Sequence, residues 1–316
     1  MADHAQPPLS LTLHIYSSTS LTCGEGGKTM QVFTDEYFHI GRAHLGNGQP
    51  CQDYALSGQA KETAWAIISD GCSSGGKTDI GARLITLTTA KALKNITKIT
   101  DDQNEFSVVE KERQKALAKL QTELEISPRD MLATCLYIFA TPQGVKIHIA
   151  GDGVMAVKYH NGEIVLRNFE WAKNMPYYPI YRNGLLEQFI QAHGNNQDEK
   201  CLQEQRWFVD QTGVFYPCFE KNYSIRTGVQ GLTITFSPEG MEEIAFLAVF
   251  SDGVTQVEGI AMPEVVRRLL AFKNQTGVFA KRRMIRFIKN TQKTGRGPID
   301  DISMAVIGLE KEEIIK

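Results

Sequence analysis

Four strand-like segments follow one another at residues 131–140, 145–150, 154–159 and 164–168, with no helix between them. Their joints are Pro142-Gln-Gly144, Gly151-Asp-Gly153 and Asn161-Gly162. Asn-Gly between two apolar runs is strong hairpin chemistry, because both turn residues tolerate positive φ. A parallel sheet needs a long crossover after each strand, and this stretch has no room for one. The pattern therefore predicts an antiparallel meander. Further strands are expected at 9–16, 31–33, 37–44, 64–69, 232–236, 244–250 and 302–307. Helical periodicity marks 79–93, 104–125, 262–273 and 277–290. Strands cluster and helices cluster, which predicts α+β architecture with antiparallel sheets rather than a doubly wound fold. With no internal repeat or linker, residues 1–316 read as a single domain, with 1–8 expected to be flexible.

Composition narrows the function. The net charge of −2 argues against a nucleic-acid or acidic-membrane binder, which would carry a basic excess. Cys23, Cys51, Cys72, Cys135, Cys201 and Cys218 are scattered, with no C-x-x-C pair, as expected of reduced thiols in the cytoplasm. The first ten residues lack a basic stretch followed by an apolar run, so no signal peptide is expected. No apolar run reaches membrane-spanning length. The expectation is a cytoplasmic monomer with neither nucleic acid nor membrane as partner.

Three apolar strands end in Asp-Gly, at Asp70-Gly71, Asp152-Gly153 and Asp252-Gly253. Asp300-Asp301 precedes the last strand, and Asp53 follows Gln52. Any one Asp-Gly is ordinary turn chemistry. Several carboxylates gathered at one sheet edge would repel each other unless cations neutralised them. Carboxylate oxygens are natural ligands for Mg2+ and Mn2+, and glycine after the aspartate lets the backbone approach a metal closely.

In order, Cys51-Gln-Asp53, Ile68-Ser-Asp-Gly71, Ala150-Gly-Asp152, Phe250-Ser-Asp-Gly253 and Asp300-Asp-Ile-Ser303 resemble the motif succession of the protein phosphatase 2C family. Met131-Leu-Ala-Thr-Cys135 falls where that family has a small-residue strand, and Gly41-Arg-Ala-His44 with Gln49-Pro-Cys-Gln-Asp53 looks like its bacterial branch. The resemblance spans about residues 37–307. It implies a four-layer α-β-β-α sandwich of two mainly antiparallel sheets with a binuclear Mn2+ or Mg2+ centre at one edge. It further implies that Asp70 bridges two metals and Gly71 lends its carbonyl. Asp252 and Asp300 would complete one shell, Asp53 would support the other, and Asp152 would help hold a third, weaker ion. The reaction implied is hydrolysis of phosphoserine and phosphothreonine on proteins by a metal-activated water, with Asp53, Asp70, Asp252 and Asp300 as the catalytic set. The partner implied is a phosphoprotein made by a Ser/Thr kinase.

Three positions depart from the family pattern. No arginine lies in residues 46–51 to hold the substrate phosphate, so Arg42 and His44 become the candidates for that role. Cys72 stands where many members have a histidine, and Gln52 where a glutamate is usual. These departures leave a non-catalytic pseudophosphatase, acting as a binding module, as one alternative. The other is a nucleotide hydrolase, since Gly71-Cys-Ser-Ser-Gly-Gly-Lys77-Thr78 matches G-x-x-x-x-G-K-[ST] between a strand and a helix. The helix-free run argues against it, and it leaves Asp53, Asp152 and Asp300-Asp301 without roles. The aromatic-rich segment 171–229 is expected to form a variable, flap-like insertion beside the cleft.

Overall fold

The computed structural model describes residues 19–23, 28–96 and 104–311. The strand expected at 9–16 and residues 1–8, expected to be flexible, lie outside them. Thirteen strands and eight α-helices are found among the described residues. The strands are β1 Thr19–Cys23, β2 Lys28–His39, β3 Tyr54–Ala60, β4 Thr63–Ser69, β5 Cys135–Thr141, β6 Gly144–Ala150, β7 Gly153–Tyr159, β8 Ile164–Trp171, β9 Lys200–Val209, β10 Phe215–Ser224, β11 Leu232–Phe236, β12 Ile244–Phe250 and β13 Ile302–Lys311. The helices are α1 Arg42–Gly46, α2 Thr78–Lys94, α3 Asn104–Glu123, α4 Leu186–Ala192, α5 Ile225–Gly228, α6 Pro238–Met241, α7 Met262–Leu269 and α8 Phe279–Gln292.

The strands form two antiparallel sheets. The large one has the order β1-β2-β13-β12-β7-β8-β9-β10, and the small one β11-β6-β5-β4-β3. Period-2 alternation sorts their side chains into layers. Leu247, Val249, Ala305 and Ile307 of the large sheet meet Ile68, Leu136, Ile138 and Ile147 of the small one in the central core. On the other face of the large sheet, Ala248, Phe250, Met304 and Val306 pack against Val265, Leu269, Met284 and Phe287 of α7 and α8. Trp65, Ile67, Tyr137 and Phe139 face Ala82, Ile85, Leu93, Val109 and Leu117 of α2 and α3. The result is the four-layer α-β-β-α sandwich. Burial on both faces explains why β4 reads as the unbroken apolar run Thr-Ala-Trp-Ala-Ile-Ile-Ser. Each large apolar side chain so buried stabilises the fold by about 1.5–3 kcal/mol.

The helix-free run divides differently from a single meander. β5 and β6 pair in the small sheet, and β7 and β8 pair in the large one. The chain crosses between sheets at Gly151-Asp-Gly153, where Gly151 and Gly153 take φ of 118° and 131°. Only glycine adopts such angles without strain, so the turn read as a hairpin is a corner that carries Asp152 from one sheet to the other. The strand expected at 37–44 stops at His39, and His44 lies on α1. Segment 171–229 contains the hairpin β9–β10, which pairs with β8 and widens the large sheet. Most of β10 is solvent-exposed, so it has no apolar face to give alternation.

The loop that matches the nucleotide-binding pattern is packed against protein. Lys77 N–H donates to Asp130 Oδ1 at 2.6 Å. A Cβ on Gly76 would lie 1.9 Å from that same oxygen, and one on Gly81 would lie 2.3 Å from the Asp130 carbonyl. These glycines admit the turn Pro128–Met131. β4, which feeds the loop, is flanked by antiparallel β3 and β5, not by the parallel neighbours of a nucleotide hydrolase.

Candidate metal centre and active site

Adjacent antiparallel strands begin and end at the same sheet edge. One edge of the sandwich thus collects the end of β4 (Asp70), the β6–β7 corner (Asp152), the end of β12 (Asp252), and the residues preceding β3 (Asp53) and β13 (Asp300, Asp301). Asp70, Asp152, Asp252 and Asp300 line one cleft of about 460 Å3. Gly71, Cys72, Thr134 and Gln256 contribute to its wall, together with Asn174, Pro176 and Tyr178 from segment 171–229. That segment is tied to the Asp152 corner by Trp171 Nε1–H donating to the Gly151 carbonyl at 3.1 Å. Among the described residues lining the cleft there is no lysine, arginine or histidine.

Asp53 lies beneath this cleft at 1% exposure. Ser251 Oγ donates to its Oδ2 at 2.6 Å, while Oδ1 is buried without a hydrogen-bond partner. Gln52 Oε1 is another buried acceptor without a partner. Gln256 Nε2 reaches Oδ2 of both Asp252 and Asp300, at 3.1 and 3.3 Å. Thr134 Oγ1 accepts from the Asp70 N–H at 3.0 Å, and the Thr134 N–H donates to the Asp70 carbonyl at 2.8 Å.

The electrostatics follow from burial and like charge. Burial pushes Asp70 well above the usual carboxylate range, and Asp53, Asp252, Asp152 and Asp300 add to the shift. Asp152 is pushed up to about 8 by burial and by Asp252. Burial lifts Asp53 to about 8 against the Ser251 hydrogen bond, with Asp301 contributing. Asp252 is raised by burial and by Asp300, partly offset by Asp70 and Gln256. The oxygen-only donor set, the orphaned acceptors and the mutual repulsion fit hard divalent cations. Gly71 is closely enclosed, since a Cβ there would lie 2.9 Å from the Thr78 carbonyl and 3.0 Å from that of Gln52.

Neither Arg42 nor His44 is among the described residues that line the cleft. Arg42 pairs with Glu258 at 2.7 Å on the surface. His44 is 6% exposed, with Nδ1 2.9 Å from Asp301 Oδ2 and 3.9 Å from Asp300 Oδ1. One ligand atom each from His44, Asp300 and Asp301 lies within 4.8 Å of the others, close enough to share an ion. The three donors around Asp301 make it an organiser of the loop. Its Oδ1 accepts from Gly41 N–H at 2.7 Å, and its Oδ2 from Gln52 N–H at 2.6 Å and from His44 Nδ1. Those bonds pin residues 41–52, which lead into Asp53. Cys72 takes the cleft position after Gly71, its N–H donating to the Leu132 carbonyl at 2.9 Å and its Sγ lying 3.2 Å from Ser74 Oγ.

Sequence reasoning missed Asp301 as an anchor, and Ser251 and Gln256 as supports for Asp53, Asp252 and Asp300. The available signals were positional. Ser251 directly precedes Asp252, and Gln256 follows it by one turn.

Residues 40–296 match the family model described as protein phosphatase 2C. No curated protein matches the chain by sequence. Among solved structures, the chain resembles the serine/threonine phosphatase Stp1 from Staphylococcus aureus at 11% identity and a TM-score of 0.51, over 88% of this chain and 94% of that one. It resembles the serine/threonine phosphatase PstP/Ppp of Mycobacterium tuberculosis at 12% identity and a TM-score of 0.51, over 88% and 99%. A bacterial serine phosphatase gives 11% identity and a TM-score of 0.52, over 89% and 99%. At such identity these likenesses establish the fold. The family match covers most of the chain, which belongs to the protein phosphatase 2C family.

Proposed function

We propose that the protein hydrolyses phosphoserine and phosphothreonine esters on proteins, with Mn2+ or Mg2+ held by Asp70, Gly71, Asp252, Asp300 and Asp53, and a third ion near Asp152. The observation that carries this reading is the convergence of four carboxylates on one cleft above the orphaned Asp53 Oδ1, with no cationic side chain in the wall. The family relationship gives that cluster its context. Bound cations would supply an activated water and neutralise charge on the phosphoryl oxygens. Asp70, Asp252 and Asp300 would orient those cations, and Gln256 would hold two of the three carboxylates in place. Segment 171–229, through Asn174, Pro176 and Tyr178, would form the flap-like wall against which the phosphoprotein lies. Protonation of the departing alkoxide would fall to solvent, since Cys72 puts a thiol where many members of the family have a histidine. The enzyme would work as a cytoplasmic monomer opposite a Ser/Thr kinase. Among the described residues, no helix is long and apolar enough to cross a membrane.

Hydrolysis of a phosphothreonine peptide tests this reading, run with Mn2+, with Mg2+ and with EDTA on the parent protein and on Asp252→Asn. Metal-dependent phosphate release that disappears in the variant is the expected result. No release from a folded parent protein in any metal overturns catalysis. That outcome would favour a metal-binding docking module, consistent with the absent phosphate-binding cation and with Cys72.

A further inference from the structure

The described lining of the cleft has no cation to offer a phosphorylated chain, but the loop that leads from Asp70 into α2 brings one to its rim. Residues 71–77 lie against the turn Pro128–Met131, and backbone contacts lock the two together. Cys72 N–H donates to the Leu132 carbonyl at 2.9 Å, and Gly76 N–H donates to the Arg129 carbonyl at 3.1 Å. A Cβ on Gly75 would lie 2.9 Å from that same Arg129 oxygen. On its other side Arg129 N–H donates to Ser127 Oγ at 3.3 Å, the cap of the turn. The glycines of the stretch that matches a nucleotide-binding pattern therefore have a different use here. They let the backbone of Arg129 approach the cleft loop and hold it there.

The side chain of Arg129 is exposed, and its Nη2–H donates to the Ser74 carbonyl at 3.4 Å. Ser74 lines the cleft, so the guanidinium meets the wall from its outer side. Its neighbour Asp130 does not neutralise it. Asp130 Oδ1 accepts from Lys77 N–H at 2.6 Å and Oδ2 from Ser127 N–H at 3.3 Å. Among the described residues no carboxylate pairs with Arg129. A guanidinium is permanently charged and presents a planar fork of donors that matches a carboxylate, and this one has no internal ion pair to break before it takes one up. Ser74 follows Asp70 by four residues, which sets an upper bound of about 14 Å between their backbones. An extended peptide covers that span in about four residues.

We propose that Arg129 is a specificity-determining residue at the mouth of the cleft, selecting phosphoproteins that carry acidic side chains within about four positions of the phosphorylated residue. This rests on the phosphatase reading above and adds the substrate class to it. The carboxylates of the cleft face the phosphorylated residue, and Arg129 reads the chain that flanks it.

Hydrolysis of two phosphothreonine peptides by the full chain in Mn2+ decides this. One peptide has aspartate at the two positions on each side of the phosphothreonine, and the other has asparagine at the same positions. At low salt the parent should favour the aspartate peptide by about fivefold in kcat/KM, the upper end for an exposed ion pair. The preference should lie in KM, as expected of binding that is equal in ground and transition states, and should shrink in concentrated NaCl. Arg129→Gln should bring the ratio of the two peptides close to one, and Arg129→Glu should invert it. The main-chain bonds of Arg129 do not depend on its side chain, and the ratio is insensitive to a loss of activity common to both peptides. A parent that cleaves both peptides equally well overturns the assignment and leaves the phosphatase reading standing. So does an Arg129→Glu variant that keeps the parent ratio while activity on both peptides is unchanged or equally reduced. A folded parent that cleaves neither peptide overturns both.

Discussion

Asp301 offers the sharpest test of how the acidic edge is built. Its carboxylate is 2% exposed and takes hydrogen bonds from Gly41 N–H, Gln52 N–H and His44 Nδ1. Hydrogen bonds to a charged group contribute about 1.5–3 kcal/mol each. Three on one acceptor are not additive, because removing the carboxylate frees all the donors at once and admits water. Asp301→Ala is therefore expected to destabilise by about 3–5 kcal/mol, the range for breaking a buried charged pair. Asp301→Asn keeps one carbonyl oxygen, which can serve Gln52 and His44, and turns its amide towards the Gly41 N–H. It also removes a charge that helps to raise Asp53. Its cost should be smaller, about 2 kcal/mol. Urea unfolding in EDTA separates these values from any stabilisation by bound metal. An alanine variant within 1 kcal/mol of the parent, or an asparagine variant worse than alanine, would refute the anchoring argument.

Glu36 lies in a groove beside β3, where burial raises its pKa to about 7 against the hydrogen bond from Ser57. The folded pKa exceeds the unfolded value, so the folded state holds the proton longer and stability falls as pH rises from about 4.5 to 7. Glu36→Gln should flatten that slope and gain about 1–3 kcal/mol at pH 8, read from urea midpoints at pH 5 and 8; an unchanged slope would exclude Glu36 as its source. Gln256→Leu should weaken Mn2+ binding about tenfold or more by removing the amide that holds Asp252 and Asp300, and unaltered calorimetric affinity would contradict that role. Gly253→Ala places a Cβ 1.9 Å from the Asp301 carbonyl oxygen, a clash with backbone that should cost about 2 kcal/mol or more; a melting temperature equal to the parent's would refute it.

The amino-acid order displayed the aspartates because each lies at a change of local pattern, where a strand stops or starts. β11 and β12 were legible to the residue, since Leu232–Phe236 alternates apolar residues with threonine and Ile244–Phe250 is a short apolar run. The division of β5–β8 between two sheets was not legible. Gly151-Asp-Gly153 reads as a hairpin turn, and only the pairing of β6 with β11 and of β7 with β12 shows it to be a corner. β10 was hidden for a different reason, because a strand with most residues in water needs no apolar alternation. Asp301 was visible as half of an acidic pair, but its three donors come from residues 41, 44 and 52. A contact across some 250 residues of chain leaves no local trace. His44 and Arg42 illustrate the converse, being close to the motif in sequence yet paired with Asp301 and Glu258 rather than lining the cleft.

A cleft walled by Asp70, Asp152, Asp252 and Asp300 without a cationic side chain imposes an order of events. A phosphate dianion approaching the bare wall meets like charge in a partly desolvated space, where repulsion is stronger than in bulk water. Divalent cations held there as proposed would reverse the sign of that field before the anion could enter. Occupancy by metal and affinity for phosphate would thus be thermodynamically linked. Phosphate should tighten the hold on metal by the same factor by which metal admits phosphate. The apparent KM for a phosphopeptide would then depend on free divalent cation, making the acidic wall a sensor of cation supply as well as a scaffold for it.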